Sequence, residues 1–175
     1  MQYINAEIGF YFTMFSNIAY AVLFVYHFVK KKTNKSLMIL AGCLCLSMVF
    51  AHVVLGYIGA LDKTSAMYKE YFHNYFSMWV LLNSAIVLSV FMIHKLLKVE
   101  PHYVVRYIYR CLVITIILNA VMHVDVVVMG HREANGLWTL YSISENILAA
   151  FMFFSLLIAR KWSEVFKWLQ LAHSH

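Results

Sequence analysis

The sequence predicts an all-α integral membrane protein: a bundle of five transmembrane helices followed by a C-terminal amphipathic helix in the cytoplasm. Three observations predict it. Of 175 residues, 63% are hydrophobic and only 13% charged, with a single proline and a mean hydropathy of +0.72. A soluble domain cannot cover so apolar a core with so little polar surface. The apolar residues also fall into five runs, each near the ~20 residues a helix needs to cross hydrocarbon. Finally, lysine and arginine are divided unevenly between the connections. The formal charge of +6 sits in short blocks beside apolar runs, as in membrane-flanking segments, so nucleic acid is not an expected partner.

The spans are expected at about 8–29, 37–61, 76–93, 107–129 and 137–158, within a bundle over 1–160. Lys30-Lys31-Lys32 stops the first, His94-Lys95 the third and Arg160-Lys161 the fifth. The start, Met1 to Glu7, has no basic region and the first run ends in lysines, so that run is expected to stay as an anchor rather than be cleaved. Strand-length alternation is absent, which leaves helices as the only way to satisfy the backbone in lipid. The connections 30–36, 94–106 and 159–175, with Arg110 just inside span four, hold 11 of the 14 lysines and arginines. That bias places them in the cytoplasm of an inner (plasma) membrane protein, with the N-terminus outside. Tyr71, Phe72, Tyr75, Trp79 and Trp138 suit the outer interface, and Tyr107, Tyr109 and Trp162 the inner one. In the tail, 161–175, Trp162, Val165, Phe166 and Leu169 recur at helical spacing, so it is expected to lie on the lipid surface or to dock a cytosolic partner. Cys43, Cys45 and Cys111 lack CxxC or zinc-type spacing and read as packing thiols.

Candidate functional residues are the polar groups inside these runs, because charge in a span is costly and usually faces protein or water. They are Asp125 in span four and Glu145 in span five, His52 and His123 in spans two and four, and the amides Asn83, Asn119 and Asn146. Counting from flanking basic residues puts them mostly in the outer half of the bilayer. On a regular helix Asn119 and His123 share a face while Asp125 points the opposite way, making Asp125 a candidate for a subunit contact. Glu145 is expected to point into the bundle. Cys45, His52, Gly56 and Gly59 form one stripe of span two, where small residues let another helix approach. The remaining histidines, His73 and His131 among them, read as interfacial background.

Three functions are compatible with this pattern. The first is an oligomeric sensor or channel-type subunit, working as a homo-oligomer or within a membrane complex. Its Asn83, Asn119, Asp125, Glu145 and Asn146 would form a polar path or switch. The second is a b-type cytochrome in membrane electron transfer, the one enzymatic option being a membrane oxidoreductase subunit. Haem b held by two histidines needs one from each of two helices at equal depth. His52 and His123 satisfy this, and His27 and His94 do so less well because Lys95 adjoins His94. The two levels lie about 20 Å apart, which resembles the paired ligands of di-haem b-type cytochromes. The third is a proton or metal-ion transporter using His52, His123, Asp125 and Glu145, with mixed nitrogen and oxygen ligands. The opposed directions of His123 and Asp125 work against a shared ion. The sequence has no HExxH and no serine motif with a positioned base, which sets an intramembrane hydrolase aside.

Overall fold

The computed structural model describes residues 18–29, 34–59, 68–131 and 136–159. All regular structure among them is helical: α1 Ile18–Val29, α2 Lys35–Gly59, α3 Tyr68–Leu96, α4 Tyr103–His123 and α5 Gly136–Leu157. A π-helical turn, Val124–Val128, prolongs α4. The four helices α2 to α5 are each long and apolar enough to cross a membrane, the make-up of a multi-pass membrane protein. The first ten residues of the first expected span, 8–17, and the whole amphipathic tail lie outside the described residues.

The helices alternate in direction. α3 packs between α2 and α4, and α5 lies against α4. α1 touches α2 where Phe24 meets Gly42, at which an added Cβ would stand 3.1 Å from the ring, and touches α5 through Tyr20 on Phe153. The close approach expected of Gly56 belongs to Gly42: a Cβ at Gly56 meets nothing within 4 Å. Leu40, Leu44, Ile86, Val90, Val105, Ile108, Leu112 and Leu156 fill the main core. A second cluster at the opposite end seats Phe76 on Met122 and Val126, ringed by Phe72, Tyr75, Leu137, Trp138 and Tyr141. Large apolar residues such as Leu46, Val53, Leu81 and Leu88 face outward, which suits a lipid solvent.

α3 starts eight residues before its apolar run. Its first turns hold Lys69, Glu70, His73 and Asn74, so hydropathy hides them. Aromatic contacts one turn apart secure them, Tyr71 stacking on Tyr75 and Phe72 on Phe76. At its other end α3 closes with a paired capping motif. The Val99 N–H donates to the His94 carbonyl and the Lys98 N–H to that of Lys95, with Lys98 in the left-handed region at φ 51°. Glycine is the residue this position favours. Lys98→Gly is therefore expected to raise stability by about 0.5–1 kcal/mol, read as a higher thermal midpoint in nanodiscs. A lower midpoint would show that the lysine side chain contributes more than its backbone conformation costs.

Candidate functional site

The buried polar side chains gather at three levels. At the end where α2 begins, Asn34 caps the helix by accepting the Ser36 N–H at 2.9 Å. The Ser36 hydroxyl contacts His94 Nε2 at 2.7 Å, and His94 Nδ1 lies 2.7 Å from the Val90 carbonyl. A carbonyl only accepts, so Nδ1 carries the proton and Nε2 accepts from Ser36. The same Ser36 oxygen receives the His102 N–H at 2.9 Å. His102 in turn caps α4, its Nδ1 accepting the Val104 N–H at 3.3 Å. Ser36 thus joins α2, α3 and the approach to α4. His94 is buried, despite adjoining Lys95, because neighbours on a helix point about 100° apart. Both its nitrogens are bonded within the protein, so neither is open to an iron, and the pairing of His94 with His27 as haem ligands is not supported. His27 is itself buried on α1.

The middle level is built on Asn119, 1% exposed on α4. Its Nδ2 donates to Glu145 Oε1 and to the Thr115 carbonyl, each at 2.9 Å, while its Oδ1 accepts from the Tyr141 hydroxyl at 3.0 Å. The acceptor-only Thr115 carbonyl fixes which way the amide faces. Tyr75 of α3 neighbours Tyr141. Asn83 is buried on α3 with its Nδ2 unpartnered among the described residues. The α3–α4 register set by Phe76 places it level with Thr115, whose hydroxyl also lacks a partner there. Asn146 turns the other way: it is exposed, and its Nδ2 donates to the Ser142 carbonyl.

The third level is the opposite end of α4. Asp125 sits on the π turn, where the Met129 N–H reaches back five residues to the Val124 carbonyl. His131 closes the turn twice. Its N–H donates to the Asp125 carbonyl at 3.2 Å, and its Nδ1 donates to Asp125 Oδ1 at 2.7 Å. Asp125 is only 8% exposed, so it faces its own chain and not an outer surface free for a subunit contact. Asp125 still leaves α4 roughly opposite His123, but both directions pack within the chain, His123 against His73 of α3 and Asp125 against His131 of its own turn. Nearby, His123 Nε2 lies 2.9 Å from Nδ1 of His73 on α3. The ring that meets His123 is therefore that of His73, and His52 lies half-buried on α2. His73, His131, Tyr75 and Tyr141 escape a search for polar residues in apolar runs. The first three precede or follow such runs, and Tyr141 counts as apolar in one.

Between the middle level and the Ser36 level, the buried positions of α3 and α4 are Ile86, Val90, Val105, Ile108, Cys111 and Leu112. Asn83 and His94 are about 16 Å apart along α3. Between these two levels the buried positions of α3 and α4 thus include no acid, histidine, lysine or arginine. Comparison of the chain with protein-family models, with curated proteins and with solved structures found no match.

Proposed function

We propose that the protein is a membrane sensor subunit of the inner membrane, with five spans and its N-terminus outside, whose switch is the Glu145 carboxyl held by Asn119. The charge bias of the connections supports that orientation, and with it the Asp125, His123 and Glu145 levels face outward. The observation that carries the reading is the bond from Asn119 to Glu145, which ties an acid on α5 to the centre of the bundle. Protonating or ionising Glu145 changes what the Asn119 amide and, through it, Tyr141 hold. The layer beneath favours a sensor over a conduit, since a charge crossing it finds no acid, histidine, lysine or arginine among the buried positions of α3 and α4. The exposed Asn146 and Ser142 on the outer face of α5 support assembly with a second copy or another membrane subunit.

The test is infrared difference spectroscopy of nanodisc-embedded protein between mildly alkaline and mildly acidic buffer, paired with a pH dye trapped in proteoliposomes. A carboxyl C=O band that appears with amide changes, and vanishes with them in Glu145→Gln, is the expected result. Amide changes that persist in Glu145→Gln would remove the switch. Protein-dependent acidification of the liposome lumen would turn the reading toward a proton transporter.

A further inference from the structure

We propose that His73 and His123 form a two-nitrogen binding site for a divalent transition-metal ion of the zinc or copper class at the outer rim of the bundle. The two nitrogens, Nδ1 and Nε2, come from different helices and lie 2.9 Å apart, with ring centroids at 5.0 Å and planes at 57°. Two imidazole nitrogens bound to one zinc at about 2.0–2.1 Å stand about 2.9–3.3 Å apart for bond angles between a right angle and the tetrahedral value. The observed separation already falls in that interval, so an ion enters with little movement of either helix.

The pair has no better use for both lone pairs. As neutral imidazoles, one nitrogen must donate to the other, which places a proton between them. Binding an ion needs only that this proton move to the far nitrogen of its own ring, so two neutral rings bind without net proton loss. Imidazole suits zinc, copper and nickel and not magnesium or calcium. Among the described residues no third histidine, cysteine or acid completes the set. A site with two protein ligands exchanges its ion rather than building a fold around it.

Depth allows this. The part of α3 that could cross a membrane, Lys69–Leu96, is about 42 Å long, against a hydrocarbon thickness of about 30 Å. Its ends therefore reach about 6 Å into each interface, and His73 stands four residues from one of them, exposed. His123 is five residues from the end of its own apolar stretch at Val128. On the same reckoning His73 stands at the hydrocarbon edge and His123 about 3 Å inside it, one ring depth from water.

The site stands independently of the Glu145 switch. The test is a calorimetric zinc titration of nanodisc-embedded protein carrying no histidine tag, with copper electron paramagnetic resonance as a second readout. One micromolar-class site is expected, with copper showing coupling to two nitrogens. His73→Phe, which keeps the ring contact, and His123→Phe should each weaken that site at least tenfold. His131→Ala and Glu145→Gln should leave it within about twofold. Zinc binding unchanged in both phenylalanine variants, or a copper spectrum that does not change in them, would overturn the proposal. Equal weakening in His131→Ala would do so as well, by placing the ion at Asp125 instead.

Discussion

Asn119→Leu is expected to be among the most destabilising single substitutions in the bundle, lowering the unfolding free energy by about 2–4 kcal/mol. The side chains are similar in size, so the cost is not a cavity. It comes from what the amide holds: the Glu145 carboxyl, the Tyr141 hydroxyl and the Thr115 carbonyl. Hydrogen bonds between membrane helices are individually modest, since the unfolded chain in lipid finds other partners. The larger penalty falls on Glu145, left in an apolar setting with no donor. Removing both partners should therefore be milder than removing one. Asn119→Leu/Glu145→Leu is expected to recover at least half of the loss, while Tyr141→Phe costs about 0.5–1.5 kcal/mol. Unfolding in detergent, read by circular dichroism, measures all three. A double variant as unstable as the sum of its parts would show that the two residues are not coupled.

Ser36→Ala should cost nearly as much, about 2–3 kcal/mol, though it deletes one oxygen. That oxygen serves His94 and the His102 N–H together, and both would be left unpaired at a buried junction. Ser47→Ala is the control. Ser47 is also buried on α2, but among the described residues its hydroxyl bonds only to the Leu44 carbonyl of its own helix, so its loss should cost under about 1 kcal/mol. Equal effects would mean that burial, not the three-way junction, sets the value. The junction also carries a pH signature. Burial holds the His102 imidazole below its ordinary value of 6.5, and its Nδ1 must be unprotonated to cap α4. Its contribution is therefore present above about pH 6.5 and lost as the pH falls below that value, where the unfolded chain takes up the proton first. A wild-type midpoint that falls on acidification, with the fall reduced in His102→Asn, is the expected result.

The second, fourth and fifth expected spans were legible because hydropathy is a bulk property, and α2, α4 and α5 follow their apolar runs within a few residues. α3 does not, since helix and hydrocarbon end at different places. Its first turns are aromatic and charged, and His73 lies among them unnoticed. Acids announce themselves in apolar runs, so Glu145 and Asp125 stand out in the sequence. Their partners do not: Tyr141 looks like any membrane aromatic, and His131 like a loop residue. The turn that closes on Asp125 was beyond reading. Val124-Asp125-Val126-Val127-Val128 carries nothing that distinguishes a π turn from an α turn, and every angle computed past it inherits the error.

That turn has a consequence for how the last hairpin closes. It accommodates one residue more than an α-helical turn would, and one residue is worth about 100° of rotation. The chain therefore leaves α4 through Gly130, at φ 76°, on a different side than a regular helix would choose. α5 comes back over the aromatic end of α3, with Trp138 against Phe72 and Phe76. On that side Glu145 meets Asn119.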